Sequence, residues 1–230
     1  MTIFAIGDLH LSFSQDKPMD IFGPTWEKHT DKIRKNWNRI VTSDDLVIVP
    51  GDISWAMRLS EAVVDLEWLD ALNGTKLIIK GNHDYWWSSI GKVRDRLPPS
   101  IYALQNDHFT WHGWSVCGSR GWLCPGEEGF DNLEDQKIYL REVQRLQLSL
   151  DSARQKTSAP IIAALHFPPF PRNGQSSDFT DILEQYNAKI CVFGHIHDSS
   201  RDMIYQGERN GVKYRFVAAD GLDFSPLLLA

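Results

Sequence analysis

The chain is short of the features that would place it outside ordinary globular proteins. It has three cysteines, Cys117, Cys124 and Cys191, an odd number without CxxC spacing. That excludes a disulfide framework and a structural zinc motif, and the three read as reduced, packed thiols. No apolar run approaches the roughly 20 residues needed to span a bilayer. Residues 1–10 show no basic stretch followed by an apolar signal core. The expectation is therefore a cytosolic, cytoplasmic protein with no membrane insertion. Positive charge is also scarce: 24 Lys and Arg stand against 30 Asp and Glu, a formal net charge of -6. Broad nucleic-acid binding depends on basic side chains neutralising phosphates, so this balance argues against it and favours a small phosphorylated substrate. Repeats, low-complexity tracts and interdomain linkers are absent. One domain over residues 1–230 is expected, and no oligomeric state is specified.

Short apolar runs rich in β-branched residues occur at 2–6, 46–49, 76–79, 161–165 and 190–193. These read as buried strands. Helical periodicity occupies 26–40, 60–72, 133–154 and 179–186, with Ser60 as a start signal and Asn73-Gly74 as a stop. Strand alternating with helix predicts an α/β fold. Segments 111–116 and 213–218 have strand composition too, as antiparallel members of a second half, and Leu227 to Leu229 reads as a final strand or core tail. Segments 12–23 and 118–129 stand out as loops. The second of these is rich in glycine and reads first as a passive connection, with a mobile cover over a cleft as the second reading.

Chemistry gathers where the apolar runs stop. The five principal runs lead into Asp8-Leu9-His10, Gly51-Asp52, Gly81-Asn82-His83-Asp84, His166, and Gly194-His195-Ile196-His197. In open α/β sheets ligands collect at the carboxyl ends of strands, so five such endings predict one shared site. Asp8 and His10 are two residues apart, as are His195 and His197; in extended backbone each pair projects to one side. Carboxylate, amide oxygen and imidazole without thiolate suit Mn, Fe, Zn or Co. A carboxylate can bridge two cations, and Asp52 is the natural shared ligand.

In this order, DxH, GD, GNHD, a lone His and GHxH resemble the calcineurin-like metallophosphoesterase superfamily. The motifs run from Asp8 to His197. The resemblance implies a four-layer αββα sandwich and two divalent or transition metal ions. It implies Asp8, His10, Asp52 and His197 at one metal and Asp52, Asn82, His166 and His195 at the other. His83 is then the catalytic acid, supported by Asp84. Two cations about 3.5–4 Å apart lower the pKa of a bridging water, making hydroxide the nucleophile, and orient it for in-line attack on phosphorus. His83 protonates the departing oxygen, with Asp84 favouring its imidazolium form.

The block after Asp52 lacks the acidic-arginine pattern of the Ser/Thr protein phosphatase branch, and GNHD replaces its GNHE. GDLHLS, PGDISWAMR and GNHDYWWSS instead look like a bacterial branch described as metallophosphoesterase or predicted phosphohydrolase. The reaction expected is hydrolysis of a phosphate monoester or diester. The alternatives are cleavage of a nucleotide-type pyrophosphate bond, as in the UDP-diacylglucosamine hydrolase branch, and a non-catalytic interaction scaffold. A scaffold should have lost ligands or the acid, yet every position is filled here. Trp55, Trp86 and Trp87 follow closely on site residues and read first as core, with an aromatic wall as the second reading. Arg58 and Arg120 read first as exposed surface residues, with a grip on a phosphate oxygen as the second reading; Arg120, flanked by Gly118 and Gly121, is the better candidate for that role. His108 and His112 have helical spacing but fall in a segment that reads as strand and turn.

Overall fold

A computed structural model of the chain describes residues 1–172, 174–197 and 204–230. They form two compact units, residues 1–103 with 217–230 and residues 104–216.

The first unit is built on a five-stranded sheet of order β11-β1-β2-β3-β4. Strands β1 (Ile3–Ala5), β2 (Leu46–Pro50), β3 (Thr75–Ile79) and β4 (Ile101–Ala103) run parallel. Strand β11 (Leu227–Leu228) pairs antiparallel with β1, Phe4 facing Leu228. β1 and β2 are buried along their whole length, which is why they read as continuous apolar runs instead of alternating ones. The helices are α1 (His29–Ile40), α2 (Leu59–Asp70) and α3 (Ile90–Arg94). α1 buries His29, Ile33 and Trp37 at four-residue spacing, and α2 buries Ala62, Leu66 and Leu69. All of these side chains except His29 join Phe4, Val47, Val49 and Ile78 in one core.

In this unit the starts of α1 and α2 both differ from expectation. Residues 24–26 form a 3-10 turn, and Lys28 then adopts a left-handed conformation (φ 52°), so α1 begins at His29 and not at 26. α2 begins before Ser60. Its N-cap is Arg58, because Glu61 reaches back to accept the backbone N–H groups of Met57 (3.1 Å) and Arg58 (3.2 Å).

The second unit holds a six-stranded sheet of order β5-β6-β7-β8-β10-β9. β6 (Trp114–Ser119), β7 (Ile161–Leu165), β8 (Ile190–Phe193) and β10 (Val212–Phe216) are parallel. β5 (Phe109–Trp111) and β9 (Gly207–Arg209) are antiparallel edges. Helices α4 (Asp135–Arg154) and α5 (Asp178–Gln185) complete the unit, α4 packing on β6. The stretch 111–116 is a hairpin and not one strand. His112 (φ 39°) and Gly113 (φ 84°) turn the chain, and Trp111 faces Trp114. Two consecutive positive-φ residues match the twist of tight hairpins. The stretch 213–218 also differs: β10 ends at Phe216 and is antiparallel only to β9, while it runs parallel to β8.

The chain is thus α/β, with two multi-strand sheets flanked by helices, as the alternation of strand and helix predicts. Among the described residues no helix is long and apolar enough to cross a membrane.

Candidate metal centre

In the first unit β1, β2 and β3 are neighbours running the same way, so their carboxyl ends share a rim. Past β1 come Asp8 and His10, past β2 Asp52, and past β3 Asn82, His83 and Asp84. The segments are bonded to each other before any ligand is considered. The N–H of Asp8 donates to Gly51 O (3.0 Å), that of His10 to Asp52 O (2.9 Å), and that of Leu11 to Ile53 O (2.9 Å). Asp52 then accepts the backbone N–H of His83 at 2.8 Å on Oδ1 and faces His10 Nε2 at 3.8 Å on Oδ2.

Asp8 and His10 do not share a side through extended backbone. Both are left-handed, φ 55° and 47°, and Asp52 (φ 51°) and His195 (φ 74°) adopt the same region. Asp and His tolerate this region better than most residues but still carry strain, and such strain persists only where the surroundings over-determine it. The carboxylates of Asp8 and Asp52 are 0% and 1% exposed. Burying two carboxylates beside an imidazole is costly unless cationic charge is supplied. This oxygen and nitrogen donor set fits divalent cations.

Gly81 shows how tightly the rim closes. An ideal Cβ at this position would lie 2.1 Å from Asp52 Oδ1 and 2.2 Å from its N. Only glycine lets the third segment approach the second. Asp84 then locks them together. Its buried carboxylate accepts from the N–H groups of Ile53 (2.9 Å), Ser54 (3.1 Å) and Gly81 (2.7 Å) and from Trp86 Nε1 (2.9 Å). Burial, then the charge on Asp52, raises its pKa, against the pull of these donors.

Aromatic rings surround the histidines. Trp55 stacks on His10 with centroids 4.9 Å apart and lies 4.4 Å from His83; Trp26 meets His10 edge-on at 5.7 Å. Trp55, Trp86 and Trp87 are all buried, which matches the core reading of each. Two residues not singled out from the sequence also belong here. Asp65 accepts hydrogen bonds from the Ser54 hydroxyl and the Phe13 N–H, and Lys17 places its ammonium over the Trp55 ring. Asp65 had a signal, a carboxylate on the apolar face of α2 with Ala62, Leu66 and Leu69.

In the second unit His166 directly follows β7 and is 0% exposed, and His195 follows β8 and Gly194. His195 Nδ1 and His166 Nε2 are 3.2 Å apart. Both nitrogens cannot carry protons at that separation, so at least one of them is the unprotonated nitrogen of its ring. The Gly194 N–H bonds His166 O, and the N–H groups of His166 and Phe167 both donate to Arg120 O at 3.0 Å. Arg120 therefore acts on this loop through its carbonyl. Its guanidinium stacks on Trp122 (4.3 Å) and faces buried Glu142 (3.5 Å), which Arg145 also reaches at 2.8 Å. His197 lies half-buried two residues past His195. Arg58 is exposed at the start of α2. His108 pairs through Nδ1 with Ser152 Oγ (2.9 Å), and His112 occupies the hairpin turn. The three cysteines are buried free thiols; burial pushes Cys117 and Cys124 up to about 12.

The family model of the calcineurin-like phosphoesterases matches residues 1–199. An uncharacterized protein of Methanocaldococcus jannaschii, MJ1445, is 28% identical over 95 residues, 38% of this chain and 53% of that protein. The chain thus aligns with about half the length of this curated relative. Two solved structures share the fold. Phosphopantetheinyl hydrolase from Mycobacterium tuberculosis has TM-score 0.57 and 16% identity, over 94% of this chain and 88% of that one. AQ665 from Aquifex aeolicus, a protein of unknown function, has TM-score 0.52 and 14% identity, over 99% and 95%. Two sheets flanked by helices are the metallophosphoesterase fold, and with the family model spanning most of its length this chain belongs to the calcineurin-like phosphoesterases, a family of metal-dependent phosphohydrolases.

Proposed function

We propose that the chain hydrolyses phosphate esters, monoester or diester, of a small phosphorylated substrate, with residues 1–230 working as one cytoplasmic catalytic domain. The observation that carries this reading is the bonded rim of Asp8, His10, Asp52 and His83, whose buried carboxylates call for cationic charge. Following the family resemblance, Asp8, His10, Asp52 and His197 would hold one metal and Asp52, Asn82, His166 and His195 the other. Mn, Fe and Zn all suit these donors. When bound, two such ions supply an activated water and neutralise charge on the phosphoryl oxygens.

The chain's own residues do the rest. Asp52 accepts the His83 N–H at 2.8 Å, so the backbone that carries the acid is tied to the carboxylate that would serve both ions. The His83 ring lies against Trp55, with His10 and Tyr85 as further ring neighbours. A proton held on that ring passes to the departing oxygen as the ester bond breaks. Asp84 supports His83 indirectly: its acceptor bonds go to Ile53, Ser54, Gly81 and Trp86 and fix the loop on which His83 rides.

The test is hydrolysis of p-nitrophenyl phosphate and bis-p-nitrophenyl phosphate by Mn-loaded wild type and His83→Ala, with metal content measured in both. Expected is metal-dependent turnover, lowered about 100-fold or more in the mutant at unchanged metal content, the usual scale for removing a general acid. Failure of the wild type to bind metal would defeat the reading.

A further inference from the structure

Trp55 carries a cation on its ring. The Lys17 Nζ lies 3.2 Å from the ring centroid, and the same indole contacts His10 and His83. Lys17 is not a loosely held surface lysine. Pro18 follows it in extended backbone (φ -67°, ψ 129°), and Met19, next along, is 5% exposed and accepts Trp55 Nε1–H on its sulfur at 3.2 Å. The segment is pinned at the indole edge by Met19 while Lys17 lies over the indole face. Lys17 is half-buried, and among the described residues no carboxylate forms an ion pair with it, in a chain of formal charge -6.

With these neighbours the indole is 8% exposed, which leaves little of it for a stacked nucleobase. It holds the Lys17 ammonium on its ring. A cation–π contact at a half-exposed position is weaker than a charge-assisted hydrogen bond, so an anion arriving there captures the ammonium. In the reading above His83 addresses the leaving oxygen, and Trp55 is the neighbour that the His83 ring and the Lys17 ammonium have in common.

We propose that Lys17 binds an anionic group in the leaving portion of the substrate, so that the preferred phosphoester carries a second negative charge beyond the scissile phosphate. This rests on the reading of His83 and the metal ligands given above.

The test uses two non-hydrolysable ligands of similar length, 3-phosphonopropionate and propylphosphonate, titrated calorimetrically into Mn-loaded wild type, Lys17→Met and Lys17→Arg. Met keeps an apolar stem against the indole; Arg keeps the charge. Expected is a preference for the carboxylate-bearing ligand of about tenfold in wild type, the scale of one charge-assisted hydrogen bond. The preference falls to about one in Lys17→Met and survives in Lys17→Arg. An equal preference in Lys17→Met and wild type, or none in wild type, overturns the role of Lys17 and leaves the metal centre intact. If neither phosphonate binds the Mn-loaded wild type, the reading of the centre itself falls and this role with it.

Discussion

At position 81 the clash between a Cβ and Asp52 is with backbone and carboxylate, not with a flexible side-chain end, so nothing cheap can move. Gly81→Ala should displace Asp52 and lower metal affinity about 10- to 100-fold, as disruption of groups that orient ligands does. Metal content after dialysis against a weak chelator, compared with wild type at matched folding by circular dichroism, checks this. Retained stoichiometry would mean that Asp52 is not a ligand. The residue types of the centre were legible from sequence because each sits at the end of an apolar run. Their backbone was not: φ is invisible to spacing, and the left-handed Asp8 and His10 reach the rim by another route than a two-residue alternation implies. Lys17 was equally hidden, since its partner is an aromatic face 38 residues away in the chain and no pattern links the two.

The elements show a second instance of burial decided by tertiary context. Lys76 stands in β3, 0% exposed, and donates to the carbonyls of Asp70 (3.0 Å), Leu72 and Gly74 (2.9 Å) and to Ser100 Oγ (2.9 Å). It ties the end of α2 to the sheet and satisfies carbonyls that a helix terminus leaves open. Lys76→Met should cost about 2–3 kcal/mol in urea unfolding, because buried acceptors lose their donor. Burial lowers the Lys76 pKa from 10.5 to about 8, partly offset by the charge of Asp70. The unfolded chain therefore holds more protons between pH 8 and 10.5, and stability contributed by this position rises with pH through that window. Wild type minus Lys76→Met should show that rise; a flat or falling difference would contradict the lowered pKa. The strands were legible because continuous burial leaves an unbroken apolar run. The hairpin at His112-Gly113 was not, because Trp111 and Trp114 on either side continue the strand composition across the turn.

For the whole molecule, an excess of acidic groups means that attraction of a phosphorylated ligand must be local, supplied by bound metal and by individual cations. Removing metal with a chelator should therefore abolish turnover and lower the thermal midpoint, and Mn at about 100 times its Kd should restore about 2.7 kcal/mol of stability per site. An unchanged midpoint on chelation would show that the buried carboxylates need no cation. The α/β class was legible because alternation of strand and helix survives any error in individual boundaries. The division into two units was not, since no linker composition marks residues 103–104 or 216–217.

That division has a consequence for how the protein is made. β1 leaves the ribosome long before β11, the strand that covers its outer edge, with Ile3 N–H bonded to Ala230 O at 2.7 Å and Gly7 N–H to Val217 O at 2.7 Å. Residues 104–216 are all synthesised before those partners exist. Until residues 217–230 follow, β1 therefore carries an uncovered edge, a template for pairing with other nascent chains. Nascent chains stalled before residue 217 should be the ones that recruit chaperones.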